Sequence, residues 1–185
     1  MSDGRIILGI DPGTNLLGYG IIAVKGRTAE YITMGVLDLR KERDHFVVLR
    51  KIIMEVGVLI DKYAPDELAV ESPFYGKNVQ VMHKLGRAQG AAIAAAITRG
   101  LPVFEYAPKK VKMSITGSGN ASKEQVSLIL QKTLNCKFDS DYLDASDALA
   151  IAVCHYYQLT NPLLDRTTSS TWEKFVDSHP QRVKK

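Results

Sequence analysis

This 185-residue chain predicts an α/β domain built on a mixed five-stranded sheet with helices on both faces. Three observations predict it. Three apolar runs near the N-terminus are joined only by short turns, so they must be antiparallel neighbours. Two further apolar runs are each reached through a long stretch of three- and four-residue periodicity, and strands reached through helices are usually parallel. After the fifth run the pattern is helical to near residue 160.

The elements follow in order. Ile6 to Asp11 reads as a buried strand. Gly18 to Val24 reads as a second, reached through the turn residues Pro12-Gly13-Thr14-Asn15. Tyr31 to Leu39 is a third, after Lys25-Gly26-Arg27. Leu49, Ile52, Val56, Leu59 and Tyr63 share one face of a helix from Asp44 to Tyr63, which Ala64-Pro65-Asp66 stops. Leu68 to Glu71 is a short buried strand, and Val79 to Arg99 a second long helix with Gly100 just past its end. Val103 to Tyr106 is the fifth strand. Ala107-Pro108 opens a short basic helix, and Gly117-Ser118-Gly119-Asn120 is a loop. Ser122 and Gln125 have the spacing of a capping box, which starts a helix running to about Leu134. A last helix spans about Asp141 to Gln158. The sequence thus divides into a domain over 1–160 and a polar, basic, partly disordered tail over 161–185, from which Trp172 and Phe175 can dock back.

Apolar content of 45% and charged content of 24% are ordinary for a globular chain. No window has the length of a membrane span, and Met1-Ser2-Asp3-Gly4-Arg5 lacks the plan of a signal peptide. Cys136 and Cys154 are far apart and form no CxxC, so they read as reduced thiols and the protein as cytoplasmic. Net charge is +4, but from Lys77 to Lys123 eight basic residues face one acid, Glu105. That stretch nets +7 and the remainder −3. A local basic field suits a polyanion, and from charge alone a solvated basic surface reads equally well.

The informative residue is Asp11, which closes an apolar strand just before a turn. A carboxylate buried without a partner is costly, whereas one at the wet end of a rigid strand suits a metal site. Glu71 ends a parallel strand in the same way, at the sheet edge where α/β ligands bind. Asp144 and Asp147 lie one helical turn apart, and their row continues through the apolar Ile151 and Cys154. Both acids are therefore expected on the side packed toward the sheet. Each acid alone has an ordinary reading: a turn cap, a strand end, a helix first turn. Together, the four are hard oxygen ligands, which suit Mg²⁺ or Mn²⁺ over zinc. Two such ions about 4 Å apart activate water and stabilise the leaving oxygen of a phosphodiester. His45, His83, His155 and His179 are scattered and read as structural or surface residues.

Four segments, in order, resemble RuvC-type Holliday-junction resolvases. Ile7 to Thr14 with Gly18-Tyr19-Gly20 resembles the first motif, and Glu71-Ser72-Pro73-Phe74 with Lys77-Asn78 the second. Leu101 to Tyr106 with Val111-Lys112 resembles the strand and basic segment that follow, and Asp144 to Ala152 the last motif. The resemblance covers about residues 5 to 158 and implies a ribonuclease-H-like fold. It implies a homodimer that makes paired, symmetric, Mg²⁺-dependent nicks in a four-way DNA junction, leaving 5′-phosphate and 3′-hydroxyl ends, in recombination and repair. Two Mg²⁺ per subunit, replaceable by Mn²⁺, and cooperation with the RuvA–RuvB branch-migration complex are also implied. Asp11, Glu71, Asp144 and Asp147 fall on the catalytic and metal positions; some relatives carry His where this chain has Asp147. Phe74, with Tyr75 beside it, matches an aromatic near the junction centre, and Lys112 and Lys123 match basic residues tied to DNA binding or catalysis. Lys77, Lys84, Arg87, Lys109 and Lys110 are general phosphate contacts. Two alternatives share the first motif: a related nuclease acting on structured RNA, and an ATP-binding fold of the sugar-kinase and actin type. The second needs two such domains and lacks partners equivalent to Glu71, Asp144 and Asp147.

Overall fold

The computed structural model describes residues 4–72, 78–138 and 143–160, the side chains of Leu143 and Asp144 excepted. The five strands are β1 (Arg5–Asp11), β2 (Leu16–Lys25), β3 (Thr28–Asp38), β4 (Glu67–Glu71) and β5 (Val103–Tyr106). The helices are α1 (His45–Tyr63), α2 (Val79–Ile97), α3 (Pro108–Thr116), α4 (Lys123–Thr133) and α5 (Leu143–Thr160). The sheet order is β3-β2-β1-β4-β5. β1, β2 and β3 pair antiparallel, and β4 runs parallel to both β1 and β5. This is the mixed sheet that the connection lengths predict.

β3 begins three residues before the expected Tyr31. Thr28 already pairs with Lys25, so the hairpin turn is only two residues, with Gly26 at φ 60°. The polar Thr28–Glu30 segment conceals this extension, because an edge strand needs no apolar alternation there. Helix α1 is capped by Asp44, whose carboxylate accepts from the amides of Phe46 and Val47. The Ser122–Gln125 capping box opens α4 as the sequence predicts.

Two apolar layers flank the sheet, which follows from the period-two alternation of its strands. Leu8, Ile10, Leu68 and Val70 face α1 and α2, meeting Ile52, Val56, Ala88, Ala92 and Ala96. Ile7, Ile22 and Ala69 face the other way, toward α5, with α3 and α4 outside it. Helix α5 is the centre of that second layer: Ala148 to Cys154 are all buried. It lies directly on the sheet because Gly9 and Gly20 have no side chains. A Cβ on Gly9 would fall 2.2 Å from the Ala148 carbonyl oxygen, and one on Gly20 2.6 Å from the Leu149 backbone.

Asp147 does not lie on the side of α5 packed against the strands, where the apolar continuation of its row predicts it. The residues against the strands are Ala148, Leu149 and Ala152. The Asp147–Ile151–Cys154 row is turned aside, toward α3 and α4. Cys154 is hydrogen-bonded by Ser114 of α3, and Asp147 is met by the first residue of α4. Because α5 is covered nearly all round, apolar continuation of a row does not single out the sheet-facing side. Cys136 and Cys154 are both free thiols, as expected.

Candidate active site

Parallel pairing places the two strand-end acids together. Ile10 lies opposite Val70, so Asp11 and Glu71, one residue further, close neighbouring strands. Ile7, Gly9 and Asp11 share a face, as do Glu67, Ala69 and Glu71. That face carries α5, since Ala69 packs with Leu149 to Cys154. Asp147 precedes the Ala148 that rests on Gly9. Three acids from separate elements therefore meet above the C-terminal ends of β1 and β4.

The electrostatics record this convergence. Glu71 is pushed up to about 8, mainly by burial and further by the negative charges of Asp11 and Asp147. Lys123 and Lys112 pull it the other way, in that order. The Lys123 ammonium is 2.6 Å from Oδ2 of Asp147. Lys112 also lines a cavity of about 400 Å³ with Pro108, Lys109, Gly119 and Asn120. A larger cavity, about 630 Å³, lies between the β2–β3 hairpin and the ends of α4 and α5, remote from the carboxylates.

The donor chemistry fits a hard divalent cation: crowded, like-charged oxygen ligands that destabilise one another when no cation is shared between them. Among the described residues, no three His, Cys, Asp or Glu side chains form a complete ligand group on their own. Asp144 stands on the backbone of α5, one turn before Asp147, and its side chain lies outside the described residues.

The other sequence candidates are distributed as follows. Phe74, Tyr75 and Lys77 lie outside the described residues, as does the tail with Trp172 and Phe175. Lys84 and Arg87 are exposed on α2, the helix that follows β4. Lys109 and Lys110 are exposed on α3, which follows β5. Lys110 is partly committed, with its ammonium 5.2 Å from the Tyr106 ring centre. Arg99, counted in the basic stretch, belongs elsewhere: it pairs with Asp61 at 2.8 Å, at the other end of α2.

Two arrangements escaped the sequence reading. The first holds the chain just after Glu71. Gln89 donates to Glu105 at 2.7 Å, Ser72 donates to the same oxygen at 3.3 Å, and the Ser72 amide donates to the Tyr106 carbonyl. Glu105, the lone acid of the basic stretch, was the available signal. The second is a buried chain of polar groups around His155. His155 is 1% exposed, with Nε2 2.8 Å from Glu67 Oε2 and Nδ1 2.6 Å from the Tyr106 hydroxyl. Glu67 shares the inward face of β4 with Glu71, and an acid on such a face requires a partner; that was its signal.

A parallel strand pair ending in acids, covered by an acid-bearing helix and edged with lysines, defines a ribonuclease-H-like nuclease domain. The family described as "Crossover junction endodeoxyribonuclease RuvC" matches residues 7–155. Proteins of that name from Cytophaga hutchinsonii and Bacteroides fragilis are 53% and 52% identical to this chain. Each alignment covers 97% of this chain, and 88% and 96% of the respective relative. The solved structure described as "T. thermophilus RuvC in complex with Holliday junction substrate" is 33% identical, with a TM-score of 0.76 over 84% of this chain and 94% of its own. The chain belongs to the RuvC family of crossover junction endodeoxyribonucleases, a family of metal-dependent hydrolases. No described helix is long and apolar enough to cross a membrane.

Proposed function

We propose that this chain resolves four-way DNA junctions by paired, symmetric, Mg²⁺-dependent hydrolysis, leaving 5′-phosphate and 3′-hydroxyl ends. The observation that carries the proposal is the convergence of Asp11, Glu71 and Asp147 at the ends of β1 and β4 and the start of α5, where burial first and then the two neighbouring carboxylates push Glu71 up to about 8. Family membership and the Thermus relative solved with a Holliday junction substrate support the junction as substrate.

In this reading Asp11, Glu71, Asp144 and Asp147 hold two Mg²⁺ per subunit, with Mn²⁺ able to substitute. Bound there, the ions supply Lewis-acid activation of water and neutralise charge at the leaving oxygen. Lys112 and Lys123 orient the scissile phosphate and steady the charge that builds on it. Lys77, Lys84, Arg87, Lys109 and Lys110 hold the neighbouring backbone, while Phe74 and Tyr75 stack on bases at the junction centre. Residues 1–160 are the nuclease domain, and 161–185 a basic tail.

Paired nicks require two sites, so the working unit is a homodimer. One face of α2 is free to meet a second copy, because a Cβ on Gly86 or Gly90 would meet nothing within 4 Å. The opposite face, Ala88, Ala92, Ala95 and Ala96, is spent on the core. Cooperation with the RuvA–RuvB complex in the cytoplasm completes the proposal.

Cleavage of a synthetic four-way junction, with and without Mg²⁺ and with products mapped at nucleotide resolution, tests the reading. Paired nicks at symmetric positions are expected. Asp11→Asn should abolish them and retain junction binding. Equal cleavage of duplex DNA or structured RNA would count for the broader nuclease reading.

A further inference from the structure

We propose that His155 and Glu67 are positioning residues for the carboxylate cluster: their hydrogen bond fixes where α5 sits along β4, and so where Asp147 stands relative to Glu71. The proposal rests on the metal-site reading above.

The geometry is a two-point alignment. Helix α5 runs antiparallel to β4, with His155 over Glu67 at one end and Asp147 beside Glu71 at the other. Eight residues of helix rise about 12 Å, and four residues of strand span about 13 Å. The two lengths match, so a contact fixed at Glu67 sets the register at Glu71. Between these points Ala148, Leu149 and Ala152 rest on Gly9 and Gly20 by close backbone approach. That approach sets how near the helix lies to β1 and β2, and the His155–Glu67 bond ties it to β4.

The bond is well defined. A carboxylate only accepts, so Nε2 of a neutral His155 carries the proton and Nδ1 accepts from the Tyr106 hydroxyl. Burial lowers the His155 pKa, with Glu67 acting against it, which favours the neutral ring. Arg5 holds the other oxygen of Glu67 at 3.0 Å, and Phe104 lies against the His155 ring with centroids 4.4 Å apart. Three strands, β1, β4 and β5, thus converge on one side chain of α5. His155 bonds Glu67 and the Tyr106 hydroxyl, so it acts through the helix and not on substrate.

The test uses the full chain and reads metal binding without DNA, by Mn²⁺ calorimetry and by the metal-induced rise in Tm, beside junction cleavage. His155→Phe keeps the ring against Phe104 and loses both hydrogen bonds. Its metal midpoint should rise about tenfold, as expected when a group orienting a ligand is lost, and cleavage at limiting metal should fall to match. Glu67→Ala should behave alike, and Glu67→Gln, which keeps an acceptor for Nε2–H, should stay near wild type. In an Asp147→Asn background, His155→Phe should add no further shift. A folded His155→Phe with a lower Tm and an unchanged midpoint would overturn the proposal, because the bond would then be structural only. Should that variant fail to fold, the Glu67→Ala and Glu67→Gln pair decides on the same reading. No metal response in the wild type overturns the metal-site reading itself and this inference with it.

Discussion

The ammonium of Lys123 lies 2.6 Å from Oδ2 of Asp147, and the same lysine opposes the rise in the Glu71 pKa. The first residue of α4 thus supplies positive charge to acids that come from β4 and α5. Both partners retain solvent contact, with side chains 48% and 22% exposed, so the pair adds less than about 1 kcal/mol to stability. Its value lies in the site. Lys123→Met should leave Tm nearly unchanged and slow single-turnover junction cleavage by about a hundredfold, the scale of losing one donor to developing charge. Lys123→Arg should recover part of the rate. Wild-type cleavage by the methionine variant would remove Lys123 from the mechanism.

Glu71 makes the pH dependence specific. Its folded value, about 8, lies above the ordinary 4.5, chiefly through burial and then through Asp11 and Asp147. A carboxyl raised in this way contributes stability that is fully present below about 4.5 and is lost as pH rises through about 8. Metal-free protein should therefore lose stability across that window. A divalent cation competes with the proton, so its apparent affinity should rise with pH and level off above about 8. Metal-induced Tm shifts at pH 6.5, 7.5 and 8.5 measure this directly. Glu71→Gln should flatten both trends; a slope that survives the substitution would assign the titration to another group.

Gly9 links the fold to the site. An alanine there would place Cβ 2.2 Å from the Ala148 carbonyl oxygen and 2.9 Å from the Ala152 nitrogen. Both are backbone atoms, so relief requires α5 to lift as a unit. Gly9→Ala should cost about 1–3 kcal/mol or more in urea unfolding and reduce cleavage beyond what the stability loss explains, because Asp147 travels with the helix. Equal stability of variant and wild type would show that α5 is not seated as described.

Much of this was legible in the sequence for a physical reason. Parallel strands bring their C-terminal ends to one edge, so Asp11 and Glu71 could be paired from strand order alone. Ser122 and Gln125 announced α4 because capping is local. What remained hidden depends on contacts between distant positions. Glu67 and His155 are 88 residues apart, and no periodicity encodes their bond. Lys123 stood out only through its match to basic residues tied to DNA binding or catalysis, since nothing local points it at Asp147. Arg99 counted toward the basic stretch by position, yet α2 carries it to the opposite end of the domain and to Asp61.

Paired nicking, as proposed, needs a second copy of this chain. Gly86 and Gly90 are one turn apart on α2, so they share a face, and in the single chain that face is open. Within one domain, Gly90→Glu should be tolerated, because glycine is a poor helix former and the added side chain points into open space. At a face-to-face contact of two copies it would set two like charges against each other across a close approach, which costs several kcal/mol. The variant should therefore keep its Tm at low protein concentration while its mass by sedimentation equilibrium falls to that of one chain. Its cleavage of a four-way junction should shift from paired to single nicks, read from a supercoiled cruciform plasmid as nicked circle in place of linear product. A Gly90→Glu protein that remains dimeric and still linearises the plasmid would move the dimer contact off this face of α2.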